Sequence, residues 1–290
     1  MVIVTGAAGR TGGEVARLLS SRGIRVRALV RDPSRVKGLT GPGIEIVVGD
    51  LSRPHTLDAA FRGADKVFLV SSPALDVETL QGNAIEAAKR TGIRHIVRVS
   101  ARGAAQTSPQ VLLKVHGDVD ENLSRSGLSF TILRPHAFFQ NTLMGAASIA
   151  GEGIVYGLSG DVGLSMIDSR DVALAAAAVI TGSGHSGRIY DLTGGTAITQ
   201  TQVAESLSAV LERPIRFQEI TPEQALAAFR SMLPEWLADG YVDLVRSWGA
   251  KDGEVTDAFE RVTGKKPRAF EQFARDYANA FGGVAKAVAT

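Results

Sequence analysis

A chain of 290 residues, 44% hydrophobic and 21% charged, has the make-up of a folded globular protein, long enough for one large α/β domain with an appended lobe or for two small domains. It contains no cysteine, which excludes disulfides, thiolate catalysis and Cys-ligated metal centres and fits a reducing, cytoplasmic setting. No apolar run reaches the roughly 20 residues that span a bilayer, the first strand leaves no room for a signal peptide, and a formal charge of +2 gives no reason to expect direct nucleic-acid binding.

The first element is an apolar run, Val2-Ile3-Val4, read as a strand over 2–5. It leads into Gly6-Ala7-Ala8-Gly9-Arg10-Thr11-Gly12 and then a helical stretch near 13–22. Strand, glycine turn and helix in that order make a phosphate cradle. The glycines let the backbone turn tightly and approach a pyrophosphate, and the helix N-terminus points free N–H groups and its positive dipole end at the anion. The spacing is G-x-x-G-x-x-G, and a glycine triplet alone is weak; its place between strand and helix makes it a dinucleotide site, with a ligand-free tight turn as the alternative. Gly6, Ala8, Gly9, Arg10, Thr11 and Gly12 are the expected contacts.

A second strand is expected over 25–30, ending at Val30-Arg31-Asp32. A carboxylate at that strand end would bond both ribose hydroxyls and repel a 2′-phosphate. Here Arg31 takes its place, with Arg35 and Lys37 close behind. A guanidinium can fork onto a phosphate, so NADPH is favoured over NADH, although Asp32 could take a ribose hydroxyl. Residues 1–150 carry 19 Lys/Arg against 12 Asp/Glu, whereas 151–290 carry 13 against 18; a basic first half suits an anion with several phosphates. A third strand over 44–48 leads to Asp50 and Leu51, where the carboxylate either accepts from an adenine amino group or caps a helix near Pro54.

Further strands are expected over 66–70, 94–99 and 129–133, and helices near 54–62, 77–91 and 110–125. This alternation reads as a doubly wound parallel sheet. Ligands lie at the carboxyl ends of such strands, so Ser71, Ser72, Pro73 and Ser100 should line the cofactor. After residue 150 the pattern loosens. Gly-rich segments at 151–163 and 182–195 flank one helix over 171–180, and from Thr199 the chain reads as mainly helical, with a strand near 215–219. We expect a dinucleotide-binding domain over 1–150 and a smaller, mainly helical substrate lobe over 151–290, laid over the cofactor cleft. The strand near 189–192 is expected to return to the main sheet.

These motifs together resemble the atypical short-chain dehydrogenase/reductases of the NmrA-like branch, which have a Rossmann-type fold. The matching pieces are Thr5 to Gly12, Val30-Arg31-Asp32, Gly49-Asp50-Leu51, Ile93 to Ser100, His116 to Asp120, Ser126 to Pro135, Met166 to Val172 and Thr263 to Phe273. The resemblance runs nearly the whole length and implies an NAD(P)H-dependent reductase of a small electrophile such as a quinone or a dye. It implies that the turn after the sixth strand passes beneath the nicotinamide. Pro135 and His136 would then shape its pocket, with Phe138, Phe139 and Asn141 towards the substrate; core packing is the alternative for both phenylalanines. It leaves a non-catalytic NADP(H) sensor as a second reading, and a monomer or a homodimer.

The informative departure is a missing tyrosine. Typical members of the wider superfamily protonate a carbonyl with the Tyr of a Tyr-x-x-x-Lys motif. Here Gly160, Gly194, Val245 and Phe281 stand four residues beyond the four tyrosines, while Leu112 and His116 occupy the two motif positions. Hydride addition to a quinone or a cationic dye carbon needs little general-acid help, so orientation and water exclusion would suffice. The expected catalytic residue is His116. It either hydrogen-bonds the nicotinamide ribose or the acceptor, with proton donation open to it, or packs against the sheet fixed by Asp120, one helical turn on. No third ligand accompanies that pair, so no metal is expected. Asp168 and Asp171 flank the next helix, and Trp236 and Trp248 read as core or as pocket walls.

Overall fold

The computed structural model describes residues 1–36, 38–158 and 160–283. The chain divides into two compact units that interleave in sequence. The first comprises Met1–Pro135, Ser169–Leu192 and Ala258–Gly264, and the second His136–Asp168, Thr193–Asp257 and Lys265–Thr290. The chain therefore leaves the first unit after Pro135 and returns to it twice, which a single cut at residue 150 does not capture.

The first unit is built on seven strands: β1 (Val2–Val4), β2 (Val26–Val30), β3 (Ile44–Val48), β4 (Lys66–Leu69), β5 (His95–Val99), β6 (Ser129–Pro135) and, after β7 (Ile154–Gly157) of the second unit, β8 (Arg188–Leu192). All pairings are parallel, in the order β3-β2-β1-β4-β5-β6-β8. The order reverses beside β1, the switch point at which open α/β sheets bind ligands. The expected return of 189–192 to this sheet is what the structure has.

Between the strands run α1 (Arg10–Ser21), α2 (Leu57–Phe61), α3 (Val77–Thr91) and α4 (Val111–Arg125), with α6 (Ser169–Thr181) and α10 (Ala258–Thr263) contributed by the two returning segments. The strands alternate. Ile3, Leu29, Val67, Leu69, Ile96 and Ile132 pack with Leu57, Phe61, Val77, Ile85, Val119 and Leu123 of α2, α3 and α4. The intervening Val2, Val4, Ala28, Phe68 and Val97 are also buried, as expected of a parallel sheet covered on both faces. Helix α1 begins at Arg10, earlier than its glycines suggest. Gly12 and Gly13 are poor helix formers, but a Cβ on Gly12 would lie 2.3 Å from the Gly6 carbonyl oxygen, so this close turn-to-helix packing requires glycine there.

The second unit contains α5 (Ala146–Glu152), α7 (Gln200–Leu211), α8 (Pro222–Arg230), α9 (Glu235–Ser247) and α11 (Phe270–Asp276). A two-stranded parallel sheet joins β7 (Ile154–Gly157) to β9 (Arg216–Glu219). Strand β7 is missed in the sequence because it is four residues long inside a glycine-rich stretch. Its core gathers Phe139, Ile149, Val155, Val203, Leu207, Phe270, Phe273 and Phe281.

Candidate active site

The glycine turn follows β1 directly. Gly6 has φ +58°, and a Cβ there would lie 2.8 Å from the Val70 carbonyl oxygen. Thr5, fully buried, locks the turn to the next strand: its hydroxyl donates to the Val70 carbonyl at 2.7 Å and accepts from the Val70 N–H at 2.9 Å. Gly6 and Gly12 are thus demanded by the fold itself. Gly9 is different. It is exposed, its backbone is extended at φ −88°, and a Cβ would lie 3.2 Å from the Gly6 oxygen, a close but adjustable contact. It is the N-cap of α1, and no side chain caps that helix end. The first-turn N–H groups have no intrahelical partner, and Ala8, Gly9 and Arg10 beside them are exposed. Such a cradle fits a pyrophosphate.

At the end of β2, Arg31 is exposed and forms no hydrogen bond or ion pair among the described residues. Asp32 is engaged in its own turn, accepting from the Ser34 N–H at 2.9 Å. The backbone of Arg35 lies in a 3-10 turn, Pro33–Val36; its side chain, and the whole of Lys37, lie outside the described residues. Asp50 accepts from the Ser52 N–H at 2.9 Å. Burial would raise its pKa, but that N–H, the Ser52 hydroxyl and the Arg31 and Arg53 cations together hold it below the ordinary carboxylate value. It caps its own turn and not the 3-10 turn at Pro54, whose N-cap is Arg53. Leu51 is half-buried, and its carbonyl accepts from Asn83 Nδ2 at 2.8 Å.

The ends of β4 and β5 are tied together by a buried polar network that the sequence reading did not anticipate. Arg98, fully buried in β5, donates from Nε to Gln81 Oε1 at 2.8 Å, from Nη1 to Asp120 Oδ1 and to the His116 carbonyl at 3.3 Å, and from Nη2 to His116 Nδ1 at 3.1 Å. Gln81 Nε2 donates to Ser71 Oγ at 2.9 Å. Asp120 Oδ2 accepts from the Ser100 hydroxyl at 2.8 Å and from Arg134 Nε and Nη2 at 3.0 and 2.8 Å. The signal for this was present: a lone arginine in the apolar run Ile96-Val97-Arg98-Val99 must find buried acceptors. Burial lowers the Arg98 pKa to about 10 against the pull of Asp120, so it stays charged at neutral pH.

His116 therefore does not rest on Asp120, whose two oxygens are taken by arginines and Ser100. Burial first, and the Arg98 cation second, push its pKa down to about 3. It is neutral at pH 7, which removes the imidazolium as a proton donor. Leu112, one turn earlier, is half-buried. Ser72 and Pro73 are exposed just past β4. Pro135 ends β6, and its carbonyl accepts from the Arg102 N–H at 2.9 Å.

In the second unit, His136 is buried. Its Nδ1 accepts from the Ala137 N–H at 2.8 Å, its Nε2 lies 3.4 Å from Asp252 Oδ1, and Trp248 stacks beside it at 5.9 Å between ring centroids. Phe139 is 4% exposed and packs on Phe270 and Phe273. It is a core residue, so the expectation that it faces substrate is corrected. Phe138 and Asn141 remain half-buried. Asp168 accepts from Gln140 Nε2 at 2.9 Å, and Asp171 is buried in the first turn of α6 in the first unit. Among the described residues, no cluster of three His, Cys, Asp or Glu side chains could hold a metal, and no helix is long and apolar enough to cross a membrane.

The profile described as NAD(P)H-binding matches residues 6–183, from the glycine turn into the segment before β8. The chain belongs to the NAD(P)H-binding family. Within this family it is 38% identical over 285 residues to an NAD(P)H azoreductase of Xenophilus azovorans, covering 97% of this chain and 99% of that one. It is 36% identical over 284 residues to a (4-alkanoyl-5-oxo-2,5-dihydrofuran-3-yl)methyl phosphate reductase of Streptomyces griseus, again covering 97% and 99%. The solved structure of an NADPH-dependent quinone oxidoreductase from Escherichia coli, complexed with NADPH, superposes with a TM-score of 0.86 at 29% identity, covering 96% of this chain and all of that one.

Proposed function

We propose that this protein is an NADPH-dependent oxidoreductase that delivers hydride directly to a planar, conjugated acceptor, quinones first. The observation that carries the reading is kinship over nearly the whole chain to reductases whose named acceptors are an azo group, an unsaturated lactone and a quinone. All three are conjugated, and each is stabilised by delocalisation once hydride arrives. The chain's own departure agrees with this: it has no Tyr-x-x-x-Lys, and His116 is neutral, so no strong general acid has to be found.

The Gly6–Gly12 turn and the uncapped end of α1 hold the pyrophosphate. Arg31 takes the 2′-phosphate, for which an exposed guanidinium with no hydrogen-bonded partner among the described residues is suited. Arg35 lies in the same turn. Asp50 and Leu51 flank the adenine, and Ser71, Ser72, Pro73, Ser100, Pro135 and His136 serve the nicotinamide half. The bound coenzyme supplies a hydride, and the acceptor takes it up with a proton from water. For the acceptor we assign Phe138 and Asn141, and His116 as a neutral hydrogen-bond donor. Rate acceleration then comes from orientation and from donors aimed at developing charge.

The test is NADPH oxidation followed by absorbance with a panel of quinones and azo compounds. Saturable oxidation, faster with NADPH than with NADH, is the expected result. Tight NADPH binding without oxidation of any panel member would refute the enzyme and leave a nucleotide sensor.

A further inference from the structure

We propose that Arg98 is a positioning residue. It locks His116 as an Nε2–H donor and turns the Ser71 hydroxyl into a second donor, so that the carboxyl edge of β4 and β5 presents fixed donors to ligand oxygens. The inference rests on the reductase reading above and extends it to a residue that touches neither coenzyme nor acceptor.

A guanidinium has five N–H donors and no acceptor, so every group it touches must accept. His116 meets Arg98 Nη2 with Nδ1, which leaves the ring proton on Nε2. No buried side-chain nitrogen or oxygen lacks a partner among the described residues. His116 Nε2 bonds none of them, so it is the solvent-facing nitrogen of a half-buried ring. Gln81 likewise meets Arg98 with Oε1, and its amide nitrogen is turned to Ser71 Oγ. Ser71 therefore accepts inward and has its own proton to give outward. Ser100 is the reverse: its proton is committed to Asp120, and only lone pairs remain. The buried cation thus sets two donors, and Asp120, which it holds, sets one acceptor. The ionised groups of the network are Arg98 of β5, Asp120 of α4 and Arg134 of β6.

A purely structural arginine would hold Asp120 and the fold without caring which nitrogen of His116 bears the proton. The decisive experiment is long-range 1H–15N correlation on protein labelled with 15N-histidine, free and with NADPH, alongside calorimetry of NADPH binding. The expected spectrum is a single neutral Nε2–H pattern for His116, unchanged from pH 5.5 to 8 and shifted by NADPH. In Arg98→Met the pattern should average between the two neutral tautomers, because the burial that chiefly keeps the ring neutral remains while the donor to Nδ1 is gone. kcat should fall about tenfold, the loss of one aligned hydrogen bond in the transition state, with NADPH affinity within about threefold. Arg98→Lys should restore part of kcat, because an ammonium donates but lacks the fork.

A proton on Nδ1 in the parent, or a parent ring that titrates near neutrality, overturns the inference; so does a folded Arg98→Met with the parent tautomer. If Arg98→Met does not fold, the parent spectrum still decides. NADPH bound and oxidised with the proton on Nδ1 defeats this inference alone, whereas no NADPH binding defeats the reductase reading whatever the tautomer.

Discussion

Replacing Arg31 by Asp tests the coenzyme assignment at one exposed atom group. Arg31 has no hydrogen-bonded partner among the described residues, and its charge bears on Asp50. The fold should therefore lose little: a surface charge free of such bonds shifts stability by about 0.5 kcal/mol or less. A charge-assisted bond to the 2′-phosphate is worth about 1.5–3 kcal/mol. Placing a carboxylate there adds repulsion of about 1 kcal/mol at 4 Å in water-like surroundings. The sum, about 2.5–4 kcal/mol, corresponds to a loss of roughly 70- to 900-fold in NADPH affinity. NADH lacks that phosphate, so its affinity should stay within about threefold, and the new carboxylate can take its ribose hydroxyls. Calorimetric titrations of both nucleotides with both proteins, at one stated salt concentration, measure this. Equal losses for NADPH and NADH, or no loss for either, would refute the placing of the 2′-phosphate at Arg31.

Three further outcomes are expected. Gly9→Ala should keep the melting temperature within about 2 °C yet weaken NADPH at least tenfold, whereas Gly12→Ala, with its Cβ 2.3 Å from the Gly6 oxygen, should destabilise by about 1–3 kcal/mol; equal melting losses in the two would contradict the distinction. His116 and His95 have pKa values pushed down to about 3 and about 4, each by burial first. Their folded values lie below the unfolded one, so the unfolded state binds more protons. Stability is full above pH 6.5 and is lost as pH falls towards 4, at most about 2 kcal/mol for His116 by pH 5 and less for the partly exposed His95. Urea unfolding of the first unit at pH 7.5 and 5 should show this, and His95→Gln should lessen the difference; a flat profile would refute it. Phe139→Ala should cost about 3–5 kcal/mol as a core truncation, while Phe138→Ala should chiefly raise the acceptor KM; the reverse pattern would return Phe139 to the substrate.

The central strands β1, β2 and β4 were legible because each is a short, largely apolar run between turn residues, buried on both faces; the edge strands β3 and β8 are partly exposed. The glycine turn was legible because the backbone leaves no room for a Cβ at Gly6 and Gly12. Strand β7 was not, since four residues between glycines carry no periodicity. The candidate positions at strand ends, such as Arg31, Asp50, Ser71 and Ser100, follow from the strand pattern alone, and their roles are those proposed above. What escaped was the pairing of side chains across the sheet. His116 and Asp120 share a helix face, which suggested a bond between them, but Arg98 reaches both from β5 and separates their roles. Likewise Phe138 and Phe139 are equal in sequence, and only packing on Phe270 and Phe273 assigns the second to the core.

The central claim is that the amino-terminal turn of this chain grips a phosphorylated nicotinamide nucleotide. Its most direct measurement is calorimetric titration of the intact protein with NADPH and then with NADH. Saturable heat at one nucleotide per chain, with NADPH the tighter ligand, is the expected result. Absence of saturable heat with both nucleotides, oxidised or reduced, would contradict it.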